Sequence, residues 1–255
     1  MKPVQSRWLV TAAAAALLPV GVHAQNPDNR PPIDVRVRPD SGESPFVRRW
    51  SGSAAVVQMR PTGELADNIG FGYGGTATGL MRLDDAGYLS LRGDIGLVQY
   101  GTEHKRVPLS PTIGGRILVD VTTSNDIVDG ALGLQLGVPR GMIRPYIAGG
   151  LGFSSFFTQS TVGSNDGTYD FANTTNHQDT RFAWVGTSGV SIPVHYSRSH
   201  VLSIDVGVTY HAPQGKTSYL KPGSIRDLSN NEIAIDPLYS EAKYFTWRVG
   251  VQFGH

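Results

Sequence analysis

A strict alternation of apolar and polar residues constrains this chain more than any other feature of its sequence. The clearest segment is 202–211, in which every second residue is apolar: Leu202, Ile204, Val206, Val208 and Tyr210. The segments 244–253 and 89–97 follow the same rule. A period of two puts apolar side chains on one face of a strand and polar side chains on the other. The pattern therefore predicts an all-β fold.

Five further segments alternate less regularly, namely 50–60, 69–83, 113–138, 143–157 and 182–192. Outside the N-terminal residues the chain has no apolar run near the roughly 20 residues that a membrane helix needs. If these strands cross a membrane they must close on themselves, because only a closed barrel satisfies every backbone group without helices.

The segment 113–138 has two interpretations. Its apolar residues occupy odd positions at Ile117 and Val119 but even positions at Leu132 and Leu134. Two strands with a turn at 124–126, or one long strand with a bulge, would each explain the change of phase. We favour one strand, because single-chain bacterial barrels have an even number of strands and the count then becomes eight.

With eight strands the connections separate into two groups. The short ones are 84–87, 139–142 and 195–200, and the longer ones are 61–68, 103–112, 159–180 and 212–242. Short turns on the periplasmic side and longer loops outside are typical of outer-membrane barrels. The sequence thus predicts an eight-stranded antiparallel up-and-down transmembrane β-barrel.

The N-terminal residues predict export to the outer membrane. Residues 1–24 have basic residues at Lys2 and Arg7, an apolar stretch and small residues before Gln25, as a secretory signal peptide does. Residues 25–49 are rich in proline and arginine and predict an extended periplasmic segment, which leaves 50–255 as the barrel domain.

Composition excludes several kinds of site and partner. Removing the signal peptide leaves a net charge near zero, which argues against a nucleic-acid partner. The chain has no cysteine, so disulfides, thiolate nucleophiles and cysteine metal sites are excluded.

The two faces of the strands carry different residue types. Aromatic residues cluster near the strand ends and predict girdles at the two membrane interfaces: Tyr88, Tyr100, Tyr146, Phe182, Trp184, Tyr210, Phe245, Trp247 and Phe253. Charged and amide residues share the other face and predict a paired polar network that fills the lumen: Arg92, Asp94, Arg116, Asp120, Gln135, Asp205 and Arg248. The alternative is that these polar residues form the water-exposed face of a soluble β-sandwich.

The chain resembles the superfamily of the OmpA membrane domain and OmpX, the small outer-membrane β-barrels. The resemblance covers residues 50–255 and is carried by the signal peptide, by the turn 139–142 that runs into 143–153, and by the last strand, which ends at Phe253. It implies that the partners are the lipid bilayer and the barrel-assembly machinery, and that no cofactor is used. The last strand departs from the group's pattern, because Gly254 and His255 follow Phe253.

Three functions follow from this resemblance and from the loops. We expect a non-enzymatic barrel with a structural or loop-display role, because binding usually resides in loops on a rigid scaffold. A small pore is an alternative, suggested by glycines at 70–74 and 93–96. A lipid hydrolase is another, with candidates Ser203, Asp205 and His211 or the pair His195 and Ser197, but spacing of about 3.3 Å per residue keeps the members of the first set apart. No catalytic or metal site is expected, and the sequence names no external ligand.

Overall fold

The computed structural model describes residues 49–108, 118–163, 170–197, 200–227 and 233–254. The predicted signal peptide and nearly all of the predicted periplasmic segment lie outside these ranges. The described residues form twelve strands: β1 (Trp50–Pro61), β2 (Gly72–Arg82), β3 (Leu89–Pro108), β4 (Leu118–Gly137), β5 (Arg144–Gly163), β6 (Asp170–Tyr196), β7 (Val201–Pro213), β8 (Lys216–Tyr219), β9 (Ile225–Asp227), β10 (Ile233–Ile235), β11 (Leu238–Glu241) and β12 (Tyr244–Gly254).

Eight of these strands form a closed barrel in the order β1-β12-β7-β6-β5-β4-β3-β2. Every neighbouring pair is antiparallel, and the ring closes where β1 pairs with β12, for example at Val56 and Val249. The predicted eight-stranded antiparallel up-and-down barrel is confirmed. None of the described residues belongs to a helix long and apolar enough to cross a membrane.

The outside of the barrel is apolar and exposed. Leu132, Ile147 and Val249 point outward with 61, 61 and 55 % of their surfaces accessible. An apolar surface of this extent is unfavourable in water, whereas a closed barrel in lipid requires it. The inward-facing neighbours of these residues along the strands are polar or small, as the alternation predicted.

Residues 118–137 form one strand, as we expected, but the predicted bulge in it is wrong. β4 pairs with β5 without interruption from Asp120 opposite Gly163 to Gly137 opposite Tyr146. The bulge lies in β3 instead, where Tyr100 interrupts the register with β4. The apolar residues of β4 change phase because their surroundings change along the strand. The leucines near the short turns face outward, whereas Ile127 and Val119, nearer the other end, are buried.

The barrel wall has two heights. The strands β1, β2, β7 and β12 have 11–13 residues, whereas β3, β4 and β5 have 20 each and β6 has 27. At about 3.3 Å per residue and a tilt of roughly 40°, 11 residues rise about 28 Å, close to the apolar band of about 25 Å in such barrels. By the same estimate, a strand of 20 residues rises about 50 Å. The four long strands therefore extend well past the band.

Two predicted loops are consequently wrong in large part. Residues 159–163 and 170–180 belong to β5 and β6, and residues 103–108 belong to β3. The sequence did not predict these extensions because the outer face of a strand above the apolar band meets water and can be polar. Alternation therefore fades although the backbone remains paired.

The connection from β7 to β12 folds back over the barrel opening. It contains two hairpins, β8 with β11 and β9 with β10. Tyr219 and Leu220 at the end of β8 are almost fully buried. The buried apolar residues that surround Tyr219 form one cluster, which we call the apolar cap: Val57, Met59, Leu65, Ile69, Val98, Tyr100, Ile127, Phe156, Tyr219, Ala242 and Tyr244.

Close backbone contact at Gly152 provides a test of the strand packing. A Cβ at Gly152 would overlap the carbonyl oxygen of Gly130 on the neighbouring strand, whereas a Cβ at Gly149 would meet nothing within 4 Å. We predict that Gly152→Ala lowers the free energy of unfolding by about 1–3 kcal/mol, the usual cost of overpacking. Gly149→Ala on the same strand should leave it nearly unchanged. Urea unfolding of both variants in detergent micelles measures the difference, and equal stabilities would contradict this packing.

Candidate functional site: the filled lumen

The lumen at the level of the apolar band is filled by two arginine clusters. Arg92 donates from Nε and Nη2 to the two carboxylate oxygens of Asp94, at 2.7 and 2.6 Å. Its Nη1 donates to the side-chain oxygen of Gln135 at 2.7 Å. Thr78 lies beside this pair and donates to Asp94 at 2.6 Å. Arg92 Nη2 also donates to Thr78 at 3.2 Å, so Arg92 bonds to side chains from three strands.

The second cluster is centred on Arg248, which is 4 % exposed. Its Nε donates to Asp205 at 2.9 Å, its Nη2 to the hydroxyl of Tyr146, and its Nη1 to Thr209 at 3.3 Å. The Tyr146 hydroxyl in turn donates to Asp205 at 2.6 Å. The guanidinium carbons of Arg92 and Arg248 lie 5.8 and 5.7 Å from the Tyr146 ring centroid, so this ring joins the two clusters.

The structure thus brings together Arg92, Asp94 and Gln135, and separately Asp205 and Arg248, from the predicted lumen set. Asp120 does not join them, and placing it in the lumen was wrong. It lies on the outward face of β4 and pairs with Arg106 at 2.8 Å on a solvent-exposed part of the sheet. Arg116 lies outside the described residues.

Seven of the nine predicted girdle residues lie on the barrel exterior. Five of them are 47–56 % exposed: Tyr88, Phe182, Trp184, Trp247 and Phe253. Tyr210 and Phe245 are partly exposed and pack together with ring centroids 4.8 Å apart.

Two of the girdle assignments are wrong, because Tyr100 and Tyr146 point inward and are only 6 % exposed. Both occupy even positions on strands whose outward residues are odd, such as Leu97 and Ile147. The prediction rested on their distance from the strand ends and did not apply the alternation. Tyr100 donates to the Leu220 carbonyl at 2.8 Å and belongs to the apolar cap.

Sequence reasoning missed a third polar group between the arginine clusters and the apolar cap. His211 Nε2 lies 3.1 Å from Thr246 Oγ1, and its ring stacks on Tyr244 with centroids 4.5 Å apart. Its Nδ1 lies 3.9 Å from the Asp129 carboxylate. All three polar residues share the inward phase of their strands, so alternation could have identified them.

This order of hydroxyl, imidazole and carboxylate is that of a catalytic triad, but the enclosed space prevents such a use. The cavity lined by Thr246, His211 and Asp129 has a volume of about 20 Å³, which is room for about one water molecule. A lipid ester cannot enter it. One water could bridge His211 Nδ1, which has no direct hydrogen-bond partner among the described residues, to Asp129.

The hydrolase candidates from the sequence are not assembled. Asp205 is bonded to Arg248 and Tyr146, and His211 is bonded to Thr246 rather than to Ser203. His195 and Ser197 are exposed at the short-turn end. Within the described ranges no three His, Asp or Glu side chains converge as metal ligands would.

In the connections at both ends of the barrel, hydrogen bonds and ion pairs shift the pKa values of exposed charged groups. In the turn between β2 and β3, backbone N–H groups of Leu89 and Tyr88 donate to Asp84 at 2.8 and 3.0 Å and lower the pKa of its carboxyl. In the opposite loops, Lys243 donates to Glu241 at 2.6 Å, which lowers the pKa of Glu241 and raises that of Lys243. These contacts stabilise the exposed connections and involve no side chain of the lumen.

The arginine clusters predict a large cost for removing one partner of a buried pair. Asp205→Leu leaves the Arg248 guanidinium unpaired, and we expect a loss of about 3–5 kcal/mol in the free energy of unfolding. The double variant Asp205→Leu with Arg248→Met should recover most of it, because no unpaired buried charge remains at this position. Asp120→Asn, in the exposed pair, should cost no more than about 1 kcal/mol. Urea titrations measure all three, and a similar loss for Asp120→Asn and Asp205→Leu would refute the buried network.

Comparisons with known proteins find similarity in structure alone. No protein-family profile and no curated protein matches the chain by sequence. Neisserial surface protein A has 13 % identity, with 81 % of this chain and 97 % of that one covered and a TM-score of 0.40. The Yersinia pestis attachment invasion locus protein Ail has 11 % identity, coverages of 80 and 96 % and a TM-score of 0.41. A major outer membrane protein from Thermus thermophilus has 11 % identity, coverages of 79 and 98 % and a TM-score of 0.42. The structural neighbours of this chain are small outer-membrane β-barrel proteins.

Proposed function

We propose that this chain is a non-enzymatic outer-membrane protein whose filled barrel anchors an extended β-sheet outside the cell. The observation that carries the proposal is the unequal height of the wall. The upper parts of β3, β4, β5 and β6 form a four-stranded sheet beyond the apolar band, which we call the protruding sheet: residues 101–108, 118–127, 156–163 and 170–182.

The chemistry of the protruding sheet suits water rather than lipid. On its outer face His104 Nδ1 lies 2.9 Å from Thr122 Oγ1, and Arg106 pairs with Asp120. Polar and paired charged side chains of this kind remain hydrated. We therefore place the short turns on the periplasmic side and the protruding sheet outside.

The protruding sheet also has two edges suited to recognition. β2 pairs with β3 only as far as Gln99, and β7 pairs with β6 only from Ala183 onward. In the described part of the chain, 101–108 and 170–181 are therefore outer strands whose backbone ladder is on one side only. Outer strands offer backbone N–H and C=O groups to an added strand. This supports display to a partner as the role of the sheet.

The filled interior supports an anchor rather than a channel. The arginine clusters, the His211 group and the apolar cap succeed one another along the lumen, and an eight-stranded barrel has little space beside such side chains. The glycines at 70–74 and 93–96 that suggested a pore do not create one, because several lie against neighbouring side chains or backbone, as Gly96 does against Asp129. We propose no catalysis, cofactor or nucleic-acid partner, and assembly through the barrel-assembly machinery after cleavage of residues 1–24.

Cysteine labelling on intact cells tests this arrangement, because the natural chain has no cysteine to interfere. Thr175 is exposed on the protruding sheet and Asp85 is exposed in the turn between β2 and β3. We expect Thr175→Cys to react with a membrane-impermeant maleimide on intact cells. Asp85→Cys, the matched control, should react only after the outer membrane is permeabilised. The reverse pattern would show that the protruding sheet faces the periplasm and would end the display proposal.

A further inference from the structure

The short-turn end of the lumen holds an open cavity of about 150 Å³, which we call the vestibule. Its floor is formed by Arg92 and Tyr146, and its rim carries Arg49, Arg82 and Arg144. Side chains with hydroxyl or amide groups line its wall: Ser51, Ser53, Ser90, Ser191, Ser203 and Gln252. The vestibule is therefore a polar recess with several cationic donors, closed at its inner end by the arginine clusters.

The rim arginines face the recess and not the lipid. Arg82 has the same phase on β2 as Thr78, which contacts Arg92 inside the lumen. Arg144 has the same phase on β5 as the buried Tyr146. Side chains in the opposite phase, such as Ile147, cover the barrel exterior. An anion attracted by the rim would therefore enter from the aqueous side.

The positive charge of the rim is not neutralised by ion pairs. Within the described residues none of Arg49, Arg82 and Arg144 has a carboxylate within 4 Å. Arg144 donates only to neutral oxygens, the Gly141 carbonyl and the Tyr196 hydroxyl, both at 3.3 Å.

Two carboxylates lie close to the rim. Asp84 and Asp85 in the adjoining turn attract Arg82 electrostatically, and the Asp84 carboxylate also accepts the Tyr88 and Leu89 backbone N–H groups. Asp205, the acidic residue of the lining, is bonded to Arg248 and Tyr146. The three rim arginines therefore outnumber the two carboxylates of the turn by one positive charge.

The wall adds hydroxyl and amide groups beside the arginines, and the Ser191 hydroxyl among them is already used as a donor. Ser191 donates to Gln252 at 2.9 Å, and Gln252 donates to Ser51 at 3.2 Å, so these hydroxyl and amide groups are held in a chain along one side. Guanidinium forks and hydroxyl groups together match the oxygens of a phosphate group. The volume exceeds the roughly 30 Å³ share of one water several-fold, which admits such a group.

We propose that the vestibule binds a phosphate group from the periplasmic side, held chiefly by Arg82 and Arg144. The group could belong to a soluble phosphate compound or to a phospholipid head group that reaches the barrel mouth. Both would present the same oxyanion to the rim, so the site is defined by that chemistry. The proposal goes beyond display of the protruding sheet. Only its periplasmic side rests on the orientation proposed above, and phosphate binding to the purified chain does not depend on that orientation.

Calorimetric titration of the purified chain in an uncharged maltoside detergent tests the site, with inorganic phosphate as the probe and sodium chloride at matched ionic strength as the blank. We expect saturable binding that weakens about tenfold or more in Arg82→Gln with Arg144→Gln, because the variant loses charge-assisted hydrogen bonds to the phosphate oxygens. Arg140→Gln is the matched control, because Arg140 is exposed at the same end but does not line the vestibule. Binding should be unchanged in that variant.

Two outcomes overturn the proposal: no saturable phosphate binding to the natural chain, or an equal loss in Arg140→Gln, which would reveal only general charge attraction. A second arm distinguishes the sources of the group. Nanodiscs with and without phosphatidylglycerol are titrated with phosphate; if the anionic lipid competes, the head group occupies the site, and if it does not, a soluble phosphate compound does. Heat-modifiable gel migration confirms that each variant is folded.

Discussion

The closed barrel of eight strands turns its apolar side chains outward, the opposite of a soluble protein. The rest of the molecule depends on this arrangement. A soluble barrel would bury Leu132, Ile147 and Val249, but here they are among the most accessible side chains of their strands. Because side chains alternate, an apolar exterior forces polar and small residues into a lumen too narrow for bulk water. Charges that enter this space must be paired, and Arg92 with Asp94 and Arg248 with Asp205 meet that requirement.

The alternation of apolar and polar residues predicted which way the side chains point where the strands cross the apolar band. It indicated the inward direction of Arg92, Asp94, Gln135, Asp205 and Arg248, because one phase faces lipid throughout the band. The strand count needed, in addition, the rule that such barrels have an even number of strands. The alternation also indicates that Tyr100 and Tyr146 point inward. We had assigned them to the girdles from their positions near the strand ends, and that assignment was wrong. The partner of each arginine required the register, which no single strand specifies.

Above the band the same signal disappears, for a physical reason. The outer face of the protruding sheet meets water, and its inner face meets the apolar cap and the folded connection between β7 and β12. Apolar residues such as Ile127 and Val119 therefore change phase, which we interpreted as a bulge. The predicted loop 159–180 was mostly strand for the same reason. The short strands β8–β11 carry too few residues for a period to be recognised. Asp120 has the same outward phase as Leu132, and only the assumed bulge would have turned it into the lumen.

The two ends of the lumen differ in chemistry, and this difference suggests separate roles. The end near the protruding sheet is closed by aromatic and aliphatic side chains with Tyr219 at their centre, so it supports the folded connection above it. The short-turn end is open, polar and basic, with guanidinium groups at its rim that form no ion pair among the described residues. The arginine clusters and the His211 group lie between the two ends and separate them.

Spin labels placed one at a time along β5 test the apolar exterior most directly. Cysteine variants at Ile147, Ala148, Gly149 and Leu151 in lipid vesicles carry a nitroxide whose collisions with oxygen and with a water-soluble nickel complex report its surroundings. The account predicts high oxygen and low nickel accessibility at the odd positions and the loss of that lipid signature at Ala148, which faces the lumen. Nickel accessibility at Ile147 and Leu151 equal to that at exposed turn residues would show that water, not lipid, covers the barrel.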